Sequence, residues 1–262
     1  MRPPTPTASR RADAFTLLEV MVVMLILTLL LMGLSVPLAA QVSMRRQDET
    51  RRLLDEAREA LLGFAALHGR LPCPATAASR GEESFAAGGS ATDGNCAAFH
   101  DGFLPAAALG LSPLDDQPFQ RDGWGAVANR LRYAVFGDGR VIGGVANPLT
   151  RAGGMQQATL AALGDAPGYL VVCNSGAAAS ASGCGPAANQ LTRRAAFVLL
   201  SLGANAPTPP PAGADERRNV DGDGVFVSRD AAMGPGNEFD DLVAWVPVNV
   251  LAGRLIAAGR LP

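Results

Sequence analysis

Apolar residues crowd one end of this chain. From Phe15 to Ala40 the sequence reads FTLLEVMVVMLILTLLLMGLSVPLAA, and Glu19 is its only charge. As a helix rising about 1.5 Å per residue, this run is roughly 39 Å long, enough for a hydrocarbon core of about 30 Å. A secretory h-region holds about 7–15 residues, so the run predicts a retained transmembrane helix, not a cleaved signal peptide. The pattern then changes without a break. Over residues 44–67, Leu53, Ala57, Leu61 and Ala65 recur every four positions, with Leu54 and Phe64 alongside. That spacing predicts an amphipathic helix with one apolar face. Arg51–Asp55 and Arg52–Glu56 stand as i,i+4 pairs on the other face. Gly33 and Pro37 are positions where the helix can bend, and His68-Gly69-Arg70-Leu71-Pro72 ends it.

Regular pattern is sparse from Gly69 to about Gly123. Cys73 to Asn95 is rich in Ala, Gly and Ser and reads as a surface loop. Leu131 to Phe136 is a strand, and Asp138-Gly139 predicts a hairpin into Val141-Ile142. Tyr169–Cys173 and Ala195–Leu200 read as buried strands, Thr208–Pro211 as a stiff loop, Phe239–Val246 as a last strand and Asn249–Ala258 as a terminal helix. The expected fold class is α+β: a long N-terminal helix packed on an antiparallel sheet head. The expected segments are a leader over 1–14, a membrane-spanning half-helix over 15–40, an amphipathic half over 41–68 and a head over 69–262.

Composition narrows the chemistry. All 22 basic residues among the 262 are Arg, and the only His are His68 and His100. Without Lys there is no P-loop lysine, Schiff base or Ser-x-x-Lys nucleophile. Gly-x-Ser-x-Gly, His-Glu-x-x-His and Gly-x-Gly-x-x-Gly are also missing, so no enzyme is expected. A net charge of −2 gives no basic field for nucleic acid. The four cysteines, Cys73, Cys96, Cys173 and Cys184, have no C-x-x-C spacing and fit disulfides on an oxidising side. Three pairings are open; the local one, Cys73–Cys96 with Cys173–Cys184, closes two short loops. Arg counts on either side of the apolar run do not settle its orientation.

The junction at the start of the run says more. Arg10-Arg11-Ala12-Asp13-Ala14 precedes Phe15-Thr16-Leu17-Leu18-Glu19-Val20. A basic leader, a small residue, Phe, a Thr-Leu-x-Glu run and about twenty apolar residues resemble the type IV prepilin signal. The resemblance implies cleavage by a prepilin peptidase between Ala14 and Phe15 on the cytoplasmic side, then N-methylation of Phe15. Ala14 stands where that family usually has Gly. Glu19 becomes the fifth mature residue, the family's assembly glutamate. A carboxylate inside a bilayer costs about 2.5–3.5 kcal/mol on insertion scales, so it needs a partner. The new amino group of Phe15 on a neighbouring subunit would be one; snorkelling to the near interface is the alternative.

Three pieces of the head resemble a type II secretion major pseudopilin: Trp124-Gly125…Arg132-Tyr133, Ser201-Leu202-Gly203-Ala204-Asn205 and Asp240-Asp241-Leu242-Val243-Ala244-Trp245. The spacing is longer here, and Gly123 replaces the usual Pro. The resemblance implies calcium near Asp240 or Asp241. A second oxygen set, Asn219, Asp221 and Asp223 with Gly224 sixth and Asp230 twelfth, is similar to an EF-hand loop, though its last ligand is Asp and no flanking helices are evident. The expected function is a pilin-like structural subunit of the minor kind, for a type II secretion pseudopilus or a type IV pilus. The alternative is an anchored binding module for adhesion, DNA or secreted cargo. Expected partners are the prepilin peptidase, other pilin or pseudopilin subunits, the inner-membrane assembly platform and membrane lipid. The expected location is the inner membrane, single-pass, N-terminus cytoplasmic before cleavage and head periplasmic, before entry into the fibre.

Overall fold

The computed structural model describes residues 16–206, 211 and 213–261, apart from the side chains of 31–39. In chain order the elements are α1 (Leu17–His68), β1 (Gly102–Phe103), β2 (Arg132–Val135), β3 (Val141–Ile142), β4 (Val145–Ala146), α2 (Gly154–Ala158), α3 (Leu160–Asp165), β5 (Leu170–Cys173), β6 (Gln190–Ser201), α4 (Ala214–Arg218), β7 (Val225–Val227), β8 (Leu242–Pro247) and α5 (Val248–Ala257). Two compact units divide the chain at Arg45 and Arg46.

The first unit holds the start of α1. Thr16 opens it as an N-cap does: its carbonyl and its Oγ1 accept the amide of Glu19 at 3.0 and 3.3 Å. Every large apolar side chain described from Leu17 to Leu30 is exposed, Leu17 at 75% and Leu25 at 60%. Among the described residues no helix is long and apolar enough to cross a membrane. The span read from the sequence includes Phe15 and the side chains of 31–39, which lie outside them; at Gly33 and Pro37, where a bend was expected, α1 continues as one helix.

The second unit runs from Arg46 to Pro262. Residues 46–68, set apart from the head on sequence grounds, belong to its core. Leu53, Leu54, Ala57, Leu61, Leu62 and Ala65 are all buried in one cluster with the sheet. The repeat of four puts these side chains on one helix face, and burying a Leu contributes about 1.5–3 kcal/mol. On the exposed face Arg52 meets Glu49 at 2.7 Å and Glu56 at 3.5 Å. Arg51 pairs with Asp48 at 3.2 Å, not with the expected Asp55, since positions three and four apart are equally near on a helix. Gly69 takes φ +67° and bonds back to Ala65 at 2.8 Å, ending the helix where expected.

β6 organises the sheet. Its C-terminal half pairs antiparallel with β2 and β8, and its N-terminal half with β5; β1 extends β2. Three features differ from the expectation. β6 covers twelve residues, because its exposed N-terminal half is polar and carried no apolar signal. The hairpin is not at Asp138-Gly139: β2 takes β6 as partner, and β3 turns into β4 through Gly143-Gly144, whose φ values of +56° and +81° suit a two-residue hairpin turn. Finally, β7 pairs with β5 in parallel, so the head sheet is not wholly antiparallel. The Thr208–Pro211 loop falls outside the described residues except for Pro211.

Cys73 is bonded to Cys96 and Cys173 to Cys184, and no described cysteine is free. The loop between the first pair is ordered by charge as well. Arg70 grips both oxygens of Glu83 at 2.7 and 2.8 Å, and Glu83 also accepts the amide of Cys73.

Candidate functional site

The three separated pieces of the head meet at the C-terminal end of β6. Asp122, two residues before Trp124, accepts the amide of Trp124 at 2.8 Å on Oδ1. Its Oδ2 accepts Ser201 Oγ at 2.6 Å and Asn129 Nδ2 at 2.9 Å. The chain then turns at Gly203, with φ +65°, where a Cβ would lie 2.2 Å from Asp240 Oδ1. The amides of Ala204 and Asn205 both donate to Asp240 Oδ2, at 2.8 and 3.2 Å. Trp245, on β8, pairs with Val198 of β6. On the other side of Asp122, Gly123 donates to Thr50 Oγ1 at 3.0 Å, and a Cβ there would lie 2.4 Å from the Arg46 carbonyl. Proline at 123 would lose that donor and crowd the helix, which accounts for glycine at this position.

Beside this turn sit three carboxylates. Ligand atoms of Glu216, Asp240 and Asp241 all lie within 4.8 Å of one another. Glu216, on α4, is only 1% exposed. Its oxygens accept both contacts from Asn205 Nδ2, at 2.8 and 2.9 Å, and the amide of Asp240 at 3.0 Å. Asp241 accepts Asn219 Nδ2 at 2.7 Å. Asp240 Oδ1 is buried with no hydrogen-bond partner. Burial, reinforced by the neighbouring carboxylates, pushes Asp241 up to about 8 and Asp240 up to about 6. The cluster therefore holds negative charge poorly on its own. An all-oxygen set of carboxylates with one open acceptor fits a hard cation such as Ca²⁺.

The EF-hand-like residues are distributed differently. Asp221 and Asp223 face Arg218, at 2.9 and 3.1 Å. Asp223 also caps the amide of Val225, and Arg218 reaches the Ala179 carbonyl. Val225–Val227 then leaves the loop to join β5 as β7, and Asp230 beyond it is exposed. Asn219 is buried between the two sets, accepting the Val227 amide at 2.7 Å while holding Asp241. The structure thus brings Asn219, Asp240 and Asp241 together and leaves Asp221, Asp223 and Asp230 apart. Sequence reasoning missed Glu216. It lies in the polar run Asp-Glu-Arg-Arg-Asn, and only tertiary contact separates it from its neighbours.

At the other end of the chain, Ala14 and Phe15 lie outside the described residues. Glu19 is exposed in the first turn of α1. The prokaryotic N-terminal methylation motif matches residues 9–35, which include Ala14, Phe15 and Glu19. The chain carries the type IV pilin and pseudopilin signal. This signal implies processing by a prepilin peptidase and assembly with other pilin-type subunits, and it points to a membrane-anchored, exported protein. Neither the curated proteins nor the solved structures give a significant match. The matched residues end before the head begins, so the signal speaks for the first part of α1 and not for the sheet.

Proposed function

We propose that this chain is a pilin-like structural subunit without catalytic activity, drawn from the inner membrane into a type II secretion pseudopilus or a type IV pilus. The single observation that carries the reading is the methylation motif over residues 9–35. It runs into the 15–40 apolar segment, which in the full sequence is long enough to span a bilayer. Exposed apolar side chains from Leu17 to Leu30 need lipid or other subunits around them. In this reading the peptidase cuts before Phe15, the new amine is methylated, and Glu19 neutralises that amine on the next subunit. The head is periplasmic, where its two disulfides are stable. Its long cysteine-bearing loops support a minor rather than a major subunit. Glu216, Asp240 and Asp241 would hold calcium, whose charge offsets the carboxylates and fastens α4 to the start of β8.

The test is Glu19→Ala in cells that carry the assembly machinery. Membrane insertion should persist while recovery in sheared fibres falls about tenfold or more, since the amine loses its inter-subunit partner. Normal recovery of this variant in fibres would return Glu19 to a residue that merely snorkels to the interface.

A further inference from the structure

β6 runs on past the end of β8. At Ala195 it is paired on both edges, to Leu170 of β5 on one and to Pro247 of β8 on the other. From there β5 stays alongside as far as Gln190, while the chain after Pro247 leaves the sheet as α5. Among the described residues no strand pairs with the second edge of Gln190–Arg194. At about 3.3 Å per residue this open stretch is about 17 Å long. Gln190, Arg193 and Arg194 lie at the surface, and Leu191 is 45% exposed. The stretch is nevertheless held in place, because Cys173 of β5, opposite Gln190, is tied to Cys184. An apolar groove of about 260 Å³ adjoins it at Arg194, lined by Leu160, Val248, Ala252, Gly253 and Ile256.

An open strand edge presents main-chain donors and acceptors with which an added strand can pair. The side chains decide which strand fits. Neither Arg193 nor Arg194 forms an ion pair among the described residues; Arg194 donates to the Gly164 carbonyl and lies over the Tyr169 ring. Two copies of this chain joined edge to edge about a twofold axis would set these arginines against one another, and like charges across strands destabilise a pair. An incoming strand with carboxylates is attracted instead, and an aliphatic side chain between them fits the groove. We propose that this edge takes up an extended acidic segment of another protein as an additional strand, beside β6 where β8 ends. The surface lies at the opposite end of β6 from the carboxylate cluster, and the proposal holds whether or not the subunit enters a fibre.

Full-length protein in detergent should be titrated against a fluorescent peptide that alternates Glu and Val, with anisotropy as the readout. The peptide should bind saturably. The same peptide with Lys for Glu, and a Glu–Val peptide with alternate main-chain amides methylated, should each bind about tenfold more weakly or worse. The first loses the charge match and the second the ladder bonds. Arg193→Glu with Arg194→Glu should lose about tenfold for the Glu peptide and gain affinity for the Lys peptide, a reversal that unfolding cannot produce. Gly253→Phe, which fills the groove from a helix position with open space around it, should weaken binding at unchanged melting temperature. Absence of saturable binding would leave the arginines as guards of a bare edge and overturn the proposal. Equal binding of the Lys or the methylated peptide, or full binding by both variants, would overturn it as well. Self-association in sedimentation that Arg193→Glu with Arg194→Glu abolishes would give the edge to a second copy of this chain instead.

Discussion

Residues 17–30 and residues 53–65 lie in one helix, yet their apolar side chains meet opposite fates. In the first stretch Leu17, Leu18, Met21 and Leu25 are 60–75% exposed; in the second Ala57, Leu61 and Ala65 are fully buried. Helix propensity does not set the difference: the first stretch carries five β-branched residues and the second none, yet both are helical. The distinction is in the pattern. The first stretch is apolar on all faces and needs an apolar surrounding, whereas the second is apolar on one face and polar on the other. A single secondary structure thus serves two environments, and the change is written in hydropathy alone.

The largest effect that separates the two regions is partition. Deleting residues 15–40 should move the protein entirely from the membrane pellet to the soluble fraction, with the head still folded by circular dichroism. Retention in the pellet would mean that another surface carries the membrane attachment.

Core substitutions sharpen the contrast. Leu61→Ala should cost about 2–5 kcal/mol in chemical denaturation of the full chain, as large-to-small changes at fully buried sites do. Leu25→Ala should shift the head's unfolding by no more than about 0.5 kcal/mol. Equal effects would erase the distinction between the two stretches.

Removing a disulfide ranks next. Cys73→Ser with Cys96→Ser should destabilise the head by about 2–4 kcal/mol, because the unfolded loop is freed. Membrane insertion should not change. A smaller loss would assign the order of the 73–96 loop to the Arg70–Glu83 pair instead.

How far these features were legible follows from the range of the interactions that make them. The α1 faces, its end at Gly69 and the sites of β2, β5 and α5 rest on local periodicity and caps, and the sequence carries both. The β3–β4 hairpin was misplaced because two glycine-bearing turns, Asp138-Gly139 and Gly143-Gly144, give the same local signal. Strand partnership decides between them. β7 was hidden inside an apparent cation loop, since three apolar residues carry little period. Asp240 and Asp241 were visible only through resemblance. Glu216 was not visible, because its role depends on α4 folding back against Asn205 and Asp240.

A further effect within the head depends on pH. The Asp115 side chain is only 2% exposed, and it accepts Arg130 at 2.8 Å, Arg121 at 3.1 Å and the amides of Gln117 and Phe119. Burial alone would raise its affinity for a proton; the amide and guanidinium partners outweigh it and bring Asp115 down to about 2. The folded value lies below the unfolded one. Its stabilisation is therefore full above the unfolded value of about 3.9 and is lost as pH falls toward 2. Asp115→Asn should cost about 1–2 kcal/mol at pH 7 and little at pH 2, read from denaturation curves at the two values. An equal cost at both would assign the residue's role to neutral hydrogen bonding.

The central claim, that the N-terminal segment is a processed pilin-type signal, is tested most directly by mass spectrometry of the full chain co-expressed with a prepilin peptidase. The mature protein should lack residues 1–14 and begin at N-methylated Phe15. A protein that still begins at Met1, or one cut after Ala40, would contradict it.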